Sequence, residues 1–350
     1  MEQTREKNRV SAVNIVFLIT MVISVAVGFL PLDFMVGRPA LQILFSQVIF
    51  IIPAAVYMIK EKMSYRQTVQ LRKMKVEDIL LTLLFGFLLQ PVLTFINALS
   101  MVFSTNTTST FLLDISEQVP FLAGVFLIAV VPAILEESVY RGFFFTEYKK
   151  HHLGKAVLLS GVLFGLMHGN INQFCYATVM GCIFALLIEA TGSILSTMLI
   201  HFCTNAFSVV TIYLYPSLFE ICKGFYRMYL DMGETELAEV FAAAFGDMTL
   251  TGNEWMRQMM ENPVKLTLID VILMYLPSAV AMGTLAFLVF RKLAQRNGNW
   301  ERIRSCIGKK SETMEEKEYT EPIVTIPMMI AMAIGVLFMF AYEMLLRLPR

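Results

Sequence analysis

Nine stretches of this chain are apolar for long enough to cross a lipid bilayer, and nothing else in it restricts the fold so strongly. About 20 residues at 1.5 Å per residue span a hydrocarbon core roughly 30 Å thick, so each stretch is expected to be a helix. They lie near 11–30, 40–59, 79–103, 119–147, 155–171, 173–190, 193–215, 266–290 and 323–346. The expected fold class is therefore all-α, a polytopic membrane protein of about nine transmembrane helices. Composition agrees, with 57% apolar against 16% charged residues. Lys+Arg and Asp+Glu both number 28, which leaves no basic excess to hold a polyanion and excludes a nucleic-acid partner. The five cysteines, Cys175, Cys182, Cys203, Cys222 and Cys306, lack metal-ligand spacing, and no disulfide framework is expected. The first stretch has a basic lead of Arg5, Lys7 and Arg9, but its apolar run is too long for a signal h-region, so it reads as an uncleaved anchor.

Basic residues set the orientation. With an inside N-terminus, Lys and Arg total 21 on the cytoplasmic side and seven on the other. That bias predicts a cytoplasmic N-terminus and an extracytoplasmic C-terminus in the cell membrane. The chain then divides into N-terminal helices over 1–117, a polar-bearing core over 118–215, an extracytoplasmic insertion over 216–265 and C-terminal helices over 266–350. Inside the insertion, Leu237, Val240, Phe241 and Phe245 have helical spacing, and Gly246 should end that helix. The stretch 291–322 mixes basic residues with Glu312, Glu315, Glu316 and Glu318 and reads as a solvated cytoplasmic linker.

An ionisable side chain within a span costs about 2.5–3.5 kcal/mol on insertion scales, so each needs a partner, an interface or a function. The short list is Glu136 and Glu137 in the fourth span, His168 in the fifth, Glu189 in the sixth, His201 with Asn205 in the seventh, Asp270 in the eighth and Glu343 in the ninth. Glu189, Asp270 and Glu343 sit near span ends, where a carboxylate reaches the headgroup region without being buried. The others are expected to meet. Glu136 and His168 lie 16 residues on either side of His152, at the tip of a helical hairpin, and so at equal depth. His201 lies nine residues beyond Gly192, near mid-bilayer, with Asn205 one turn above it on the same face. Glu137 and Arg141 have the same four-residue spacing and can form an intrahelical ion pair.

A carboxylate beside an imidazole can act as a general base on water, while a second imidazole with an amide can stabilise an oxyanion. Two histidines and a carboxylate, here His168, His201 and Glu136, also form a recognised zinc-hydrolase ligand set. Both mechanisms stay open at this level. Nucleophilic catalysis is less attractive, because Cys203 and Ser196 are not one turn from His201 and no G-x-S-x-G elbow occurs.

Three segments in order carry a resemblance. Glu136-Glu137-Ser-Val-Tyr-Arg141 resembles the motif E-E-x-x-x-R, Phe164-Gly-Leu-Met-His168 resembles F-x-x-x-H, and His201-Phe-Cys-Thr-Asn205 resembles H-x-x-x-N. Together they are similar to the CAAX-processing and bacteriocin-processing intramembrane proteases, the CPBP or Abi family, over roughly 118–215. The resemblance implies a helical membrane fold with a cavity, and endopeptidase activity on membrane-associated, prenylated or amphipathic peptides. It further implies Glu136 as base with His168 helping to hold the water, His201 and Asn205 at the oxyanion, and Glu137, Arg141 and Phe164 in support. A zinc cofactor and a metal-free glutamate mechanism are both compatible with it. The family also includes bacteriocin-immunity and scaffolding members, so a membrane-embedded binding protein is the alternative reading; a small transporter would use the same polar residues as an ion relay.

Overall fold

The computed structural model describes residues 2–30, 35, 37–307 and 322–348, and these contain helices and no strand. The helices are α1 (Glu2–Gly28), α2 (Pro39–Lys60), α3 (Val76–Met101), α4 (Thr108–Gln118), α5 (Phe121–Tyr148), α6 (Leu153–Leu166), α7 (Ile171–Thr191), α8 (Leu195–Asp231), α9 (Thr235–Phe245), α10 (Gly252–Glu261), α11 (Leu268–Arg296), α12 (Trp300–Ile307) and α13 (Ile326–Arg347). Among the described residues eight are long and apolar enough to cross a membrane, namely α1 from Arg9 onward, α2, α3, α5, α7, α8, α11 and α13. The chain is a multi-pass, all-α membrane protein.

The expected span at 155–171 is the exception. It is α6, only 14 residues long, which ends because Gly169 takes a left-handed φ of 69° and turns the chain back into α7. At 1.5 Å per residue it covers about 21 Å, short of the hydrocarbon core. Its main partner is α7, and it also packs on α5 through Ser160 and Phe164. A Cβ placed on Gly181 of α7 would come within 2.7 Å of the Gly161 Cα of α6, so these glycines let the two backbones approach to a distance no larger residue permits.

Polar contacts sort the helix ends onto two faces of the bundle. On one face Arg9 Nε meets Glu147 Oε2 at 2.7 Å, Lys149 and Arg302 both pair with Glu189, Arg296 pairs with Asp78, and Ser193 donates to the Arg72 carbonyl. On the opposite face Glu343 accepts from the Thr105 N–H at 3.1 Å, and Arg347 donates to the Phe103 carbonyl. Glu189 and Glu343 are thus at span ends as expected, but they are buried in protein rather than free in the interface, each neutralised by a cation. Asp270 is half-buried and completes the capping box of α11 with Thr267.

Two further segments depart from the sequence reading. Helix α8 does not stop near 215; it runs through Pro216 for 37 residues, about 55 Å, and its outer part carries the insertion. There Trp255 stacks on Phe219 at 4.8 Å, the Lys223 ammonium donates to the Leu250 carbonyl at 2.8 Å, and Glu220 accepts from the Gly252 N–H at 2.7 Å. Helix α9 forms at the expected place and ends at Gly246, φ 82°. The stretch beyond 291 is not featureless, since α11 continues to Arg296 and α12 follows, anchored by fully buried Ile303 and by Trp300 against Phe287. Glu312, Glu315, Glu316 and Glu318 lie outside the described residues.

Candidate active site

Helix α5 builds the site. It is an α-helix interrupted by two π-helical stretches, Phe126–Val130 and Ser138–Phe145, with Val131–Glu137 between them. Such wide turns expose backbone groups and are frequent at functional sites. Pro132 adds to this because it has no N–H to give the Ile128 carbonyl four residues earlier. That carbonyl accepts from Asn205 Nδ2 at 2.9 Å instead, which ties α8 to α5.

The adjacent carboxylates diverge. Glu137 is fully buried, with Oε1 2.9 Å from His201 Nδ1 and 3.1 Å from Arg141 Nη1. Arg141 is equally buried, its guanidinium carbon 4.1 Å from the centre of the Phe164 ring and 5.3 Å from that of Phe184. A carboxylate and two aromatic faces thus replace the water lost by a buried cation. Gly181 keeps the space open, since a Cβ there would stand 3.1 Å from Arg141 Nη2. Phe164 also meets both imidazoles edge-on, at 4.9 Å for His168 and 6.1 Å for His201.

Glu136 faces a cavity of about 500 Å³, which His168, His201, Asn205, Phe164, Gln47 and Tyr140 also line. Its Oε1 accepts from Gln47 Nε2 at 2.7 Å, and its Oε2 lies 3.8 Å from His201 Nε2. A carboxylate oxygen only accepts, so His201 Nδ1 carries a proton toward Glu137, and in the neutral form of the ring the Nε2 lone pair faces Glu136. The same reasoning protonates His168 Nδ1, 2.8 Å from the Phe164 carbonyl. His168 stands in the turn after α6 rather than on a spanning helix. The predicted site residues are therefore brought together, but His201 rather than His168 is the imidazole beside Glu136.

Zinc ligands commonly anchor one ring nitrogen in this way and offer the other, so the donor chemistry is of the right kind. The arrangement does not complete it. Among the described residues no three His, Cys, Asp or Glu side chains are gathered as a metal ion requires, and no step below passes through one.

Sequence reasoning missed Gln47 and Tyr140. Both are uncharged and so escaped a search for ionisable groups, although an amide in the middle of an otherwise apolar span was a usable signal. The two nucleophile candidates are elsewhere: the Ser196 hydroxyl is bonded to the Ser193 carbonyl, and Cys203 lines a separate groove with Phe87 and Tyr275.

Comparison with known proteins bears on the same segment. Residues 118–207 match the family model described as type II CAAX prenyl endopeptidase, Rce1-like. The segment that carries the motifs is a CAAX-protease-like domain. The chain is also 30% identical over 143 residues to the protein named "Putative membrane peptidase YdiL" of Bacillus subtilis (strain 168). That alignment covers 41% of this chain and 53% of the relative, about half its length. No solved structure matches.

Proposed function

We propose that the protein is an intramembrane endopeptidase that hydrolyses peptide bonds of membrane-associated peptides or proteins with a water activated by Glu136. The observation that carries the reading is the gap between Glu136 Oε2 and His201 Nε2. With the His201 ring neutral, two proton acceptors 3.8 Å apart repel unless a donor stands between them, and one water about 2.8 Å from each supplies a hydrogen to both. One of its two lone pairs then addresses a carbonyl carbon in the cavity.

As the water oxygen adds to that carbon, Glu136 takes one proton, and the carbonyl oxygen becomes an oxyanion. Asn205 spends one amide hydrogen on the Ile128 carbonyl and offers its second to that oxyanion. The C–N bond then breaks, and Glu136 passes its proton to the leaving amine. Glu137 holds the His201 ring, and Arg141 balances the Glu137 charge. His168 lines the same cavity, and its Nε2 is free to accept a hydrogen from the docked peptide. In orientation, the face that carries Arg9, Lys149 and Arg302 is assigned to the cytoplasm.

The test is cleavage of an internally quenched, CAAX-like peptide by the detergent-purified protein, wild type beside Glu136→Gln, with and without a zinc chelator. The reading expects activity that only the substitution abolishes. Activity removed by the chelator and restored by zinc would replace the glutamate mechanism with a metal one.

A further inference from the structure

Gln47 is a residue of α2, outside the segment that matches the CAAX-protease family, yet it touches Glu136. Its orientation follows from its partner. Because Glu136 Oε1 can only accept, the amide must turn Nε2 toward it, and Gln47 Oε1 then points elsewhere. That oxygen has no hydrogen-bond partner in the protein, and the residue is only 5% exposed. Tyr140, 1% exposed on the same cavity wall, has an unpartnered hydroxyl as well. Buried polar atoms are ordinarily paired, so an orphan acceptor and an orphan donor on one cavity wall need explaining.

We propose that Gln47 is a substrate-positioning residue that reads the peptide backbone, an inference that rests on the peptidase reading above. A peptide drawn from water into this cavity must satisfy its own N–H and C=O groups. Gln47 Oε1 accepts one substrate N–H, and the Tyr140 hydroxyl donates to a substrate carbonyl. The other end of the same amide holds Glu136 Oε1, so docking of the backbone and alignment of the carboxylate run through one side chain. Recognition of this kind is indifferent to side-chain identity and intolerant of a lost N–H.

The test uses the full-length, detergent-solubilised protein and a fluorescein-labelled CAAX-like peptide, together with versions each N-methylated at one amide. Binding is read by anisotropy before turnover, and cleavage is followed in parallel. One N-methylation should weaken binding to wild type about tenfold, the scale of a single lost buried hydrogen bond, and by less than about twofold to Gln47→Met. Should Gln47→Met fail to fold, Gln47→Asn, whose amide falls short by one methylene, should show the same loss of discrimination. Equal N-methylation penalties in wild type and variant, or no binding of the peptide to wild type, would overturn the inference. Discrimination without cleavage would uphold the backbone contact and remove the peptidase reading alone.

Discussion

The two ends of α8 keep different company. Its inner part carries His201 and Asn205, whose partners, Glu137 and the Ile128 carbonyl, come from more than 60 residues away in the chain. Its outer part carries Phe219, Glu220 and Lys223, which bind segments 27 to 36 residues further on, largely through backbone groups. Inside the bundle the buried Glu137 is held by an imidazole from a distant helix as well as by Arg141 of its own helix. In the cap, local turns and helix caps supply the partners.

The difference can be attacked from the inside first. Glu136→Gln should lower the cleavage rate roughly 10³-fold, the scale of general-base catalysis, with little change in thermal stability; retained activity would remove Glu136 from the chemistry. Arg141→Met leaves Glu137 buried without its cation and should cost about 3–5 kcal/mol, measured as a steep loss of detergent-solubilised protein on heating. A shift small enough to match a surface pair would show that the inner and outer regimes are alike. Asn205→Ala should lower kcat by roughly 10²-fold while KM holds, which steady-state kinetics would check.

The outer region should respond weakly. Arg257 of α10 bridges Asp114 at 3.1 Å and Glu117 at 2.7 Å on α4, yet all three are partly exposed. Arg257→Ala should cost under about 1 kcal/mol, seen in the melting temperature, and less still at high salt. Acid should act on the same region. The N–H and hydroxyl of Thr251 hold the Glu254 carboxyl below its ordinary range, so this contribution to folding is present above that range and is lost as pH falls through the depressed value. Fluorescence of Trp255, in the same helix, should therefore change only in strong acid, and a change near neutrality would contradict the assignment.

Much of the inner region was legible in the sequence because intramembrane charge is costly and therefore sparse. Glu136, Glu137, Arg141, His168 and His201 could be selected by that cost, Asn205 by its place one turn above His201, and hairpin arithmetic put Glu136 and His168 at equal depth. The arithmetic assumed straight α-helices, so it could not see that α6 stops early or which imidazole would stand beside Glu136. Gln47 was passed over because an amide is inexpensive in a span. The outer region was less legible. The apolar run ends near 215, but beyond that point the helix is supported by Trp255 and Gly252, contacts that no periodicity reveals. The α12 helix was hidden for a related reason: two apolar anchors, Trp300 and Ile303, are too few to stand out among charges.

The π-helical stretches on either side of Glu136 and Glu137 give this protein an unusual sensitivity to phase. If Phe126–Val130 were wound as regular α-helix with no residue removed, α5 would remain long, apolar and able to insert. Every side chain beyond that stretch would nevertheless turn by about 100° relative to the bundle, the angle that the wide turn absorbs. Glu137 would leave the side of Arg141's aromatic niche, Glu136 would face lipid or a neighbouring backbone, and Asn205 would lose its carbonyl. The length of that one helix is thus a timing element for the whole site, in which the extra residue of a wide turn decides which way the chemistry points.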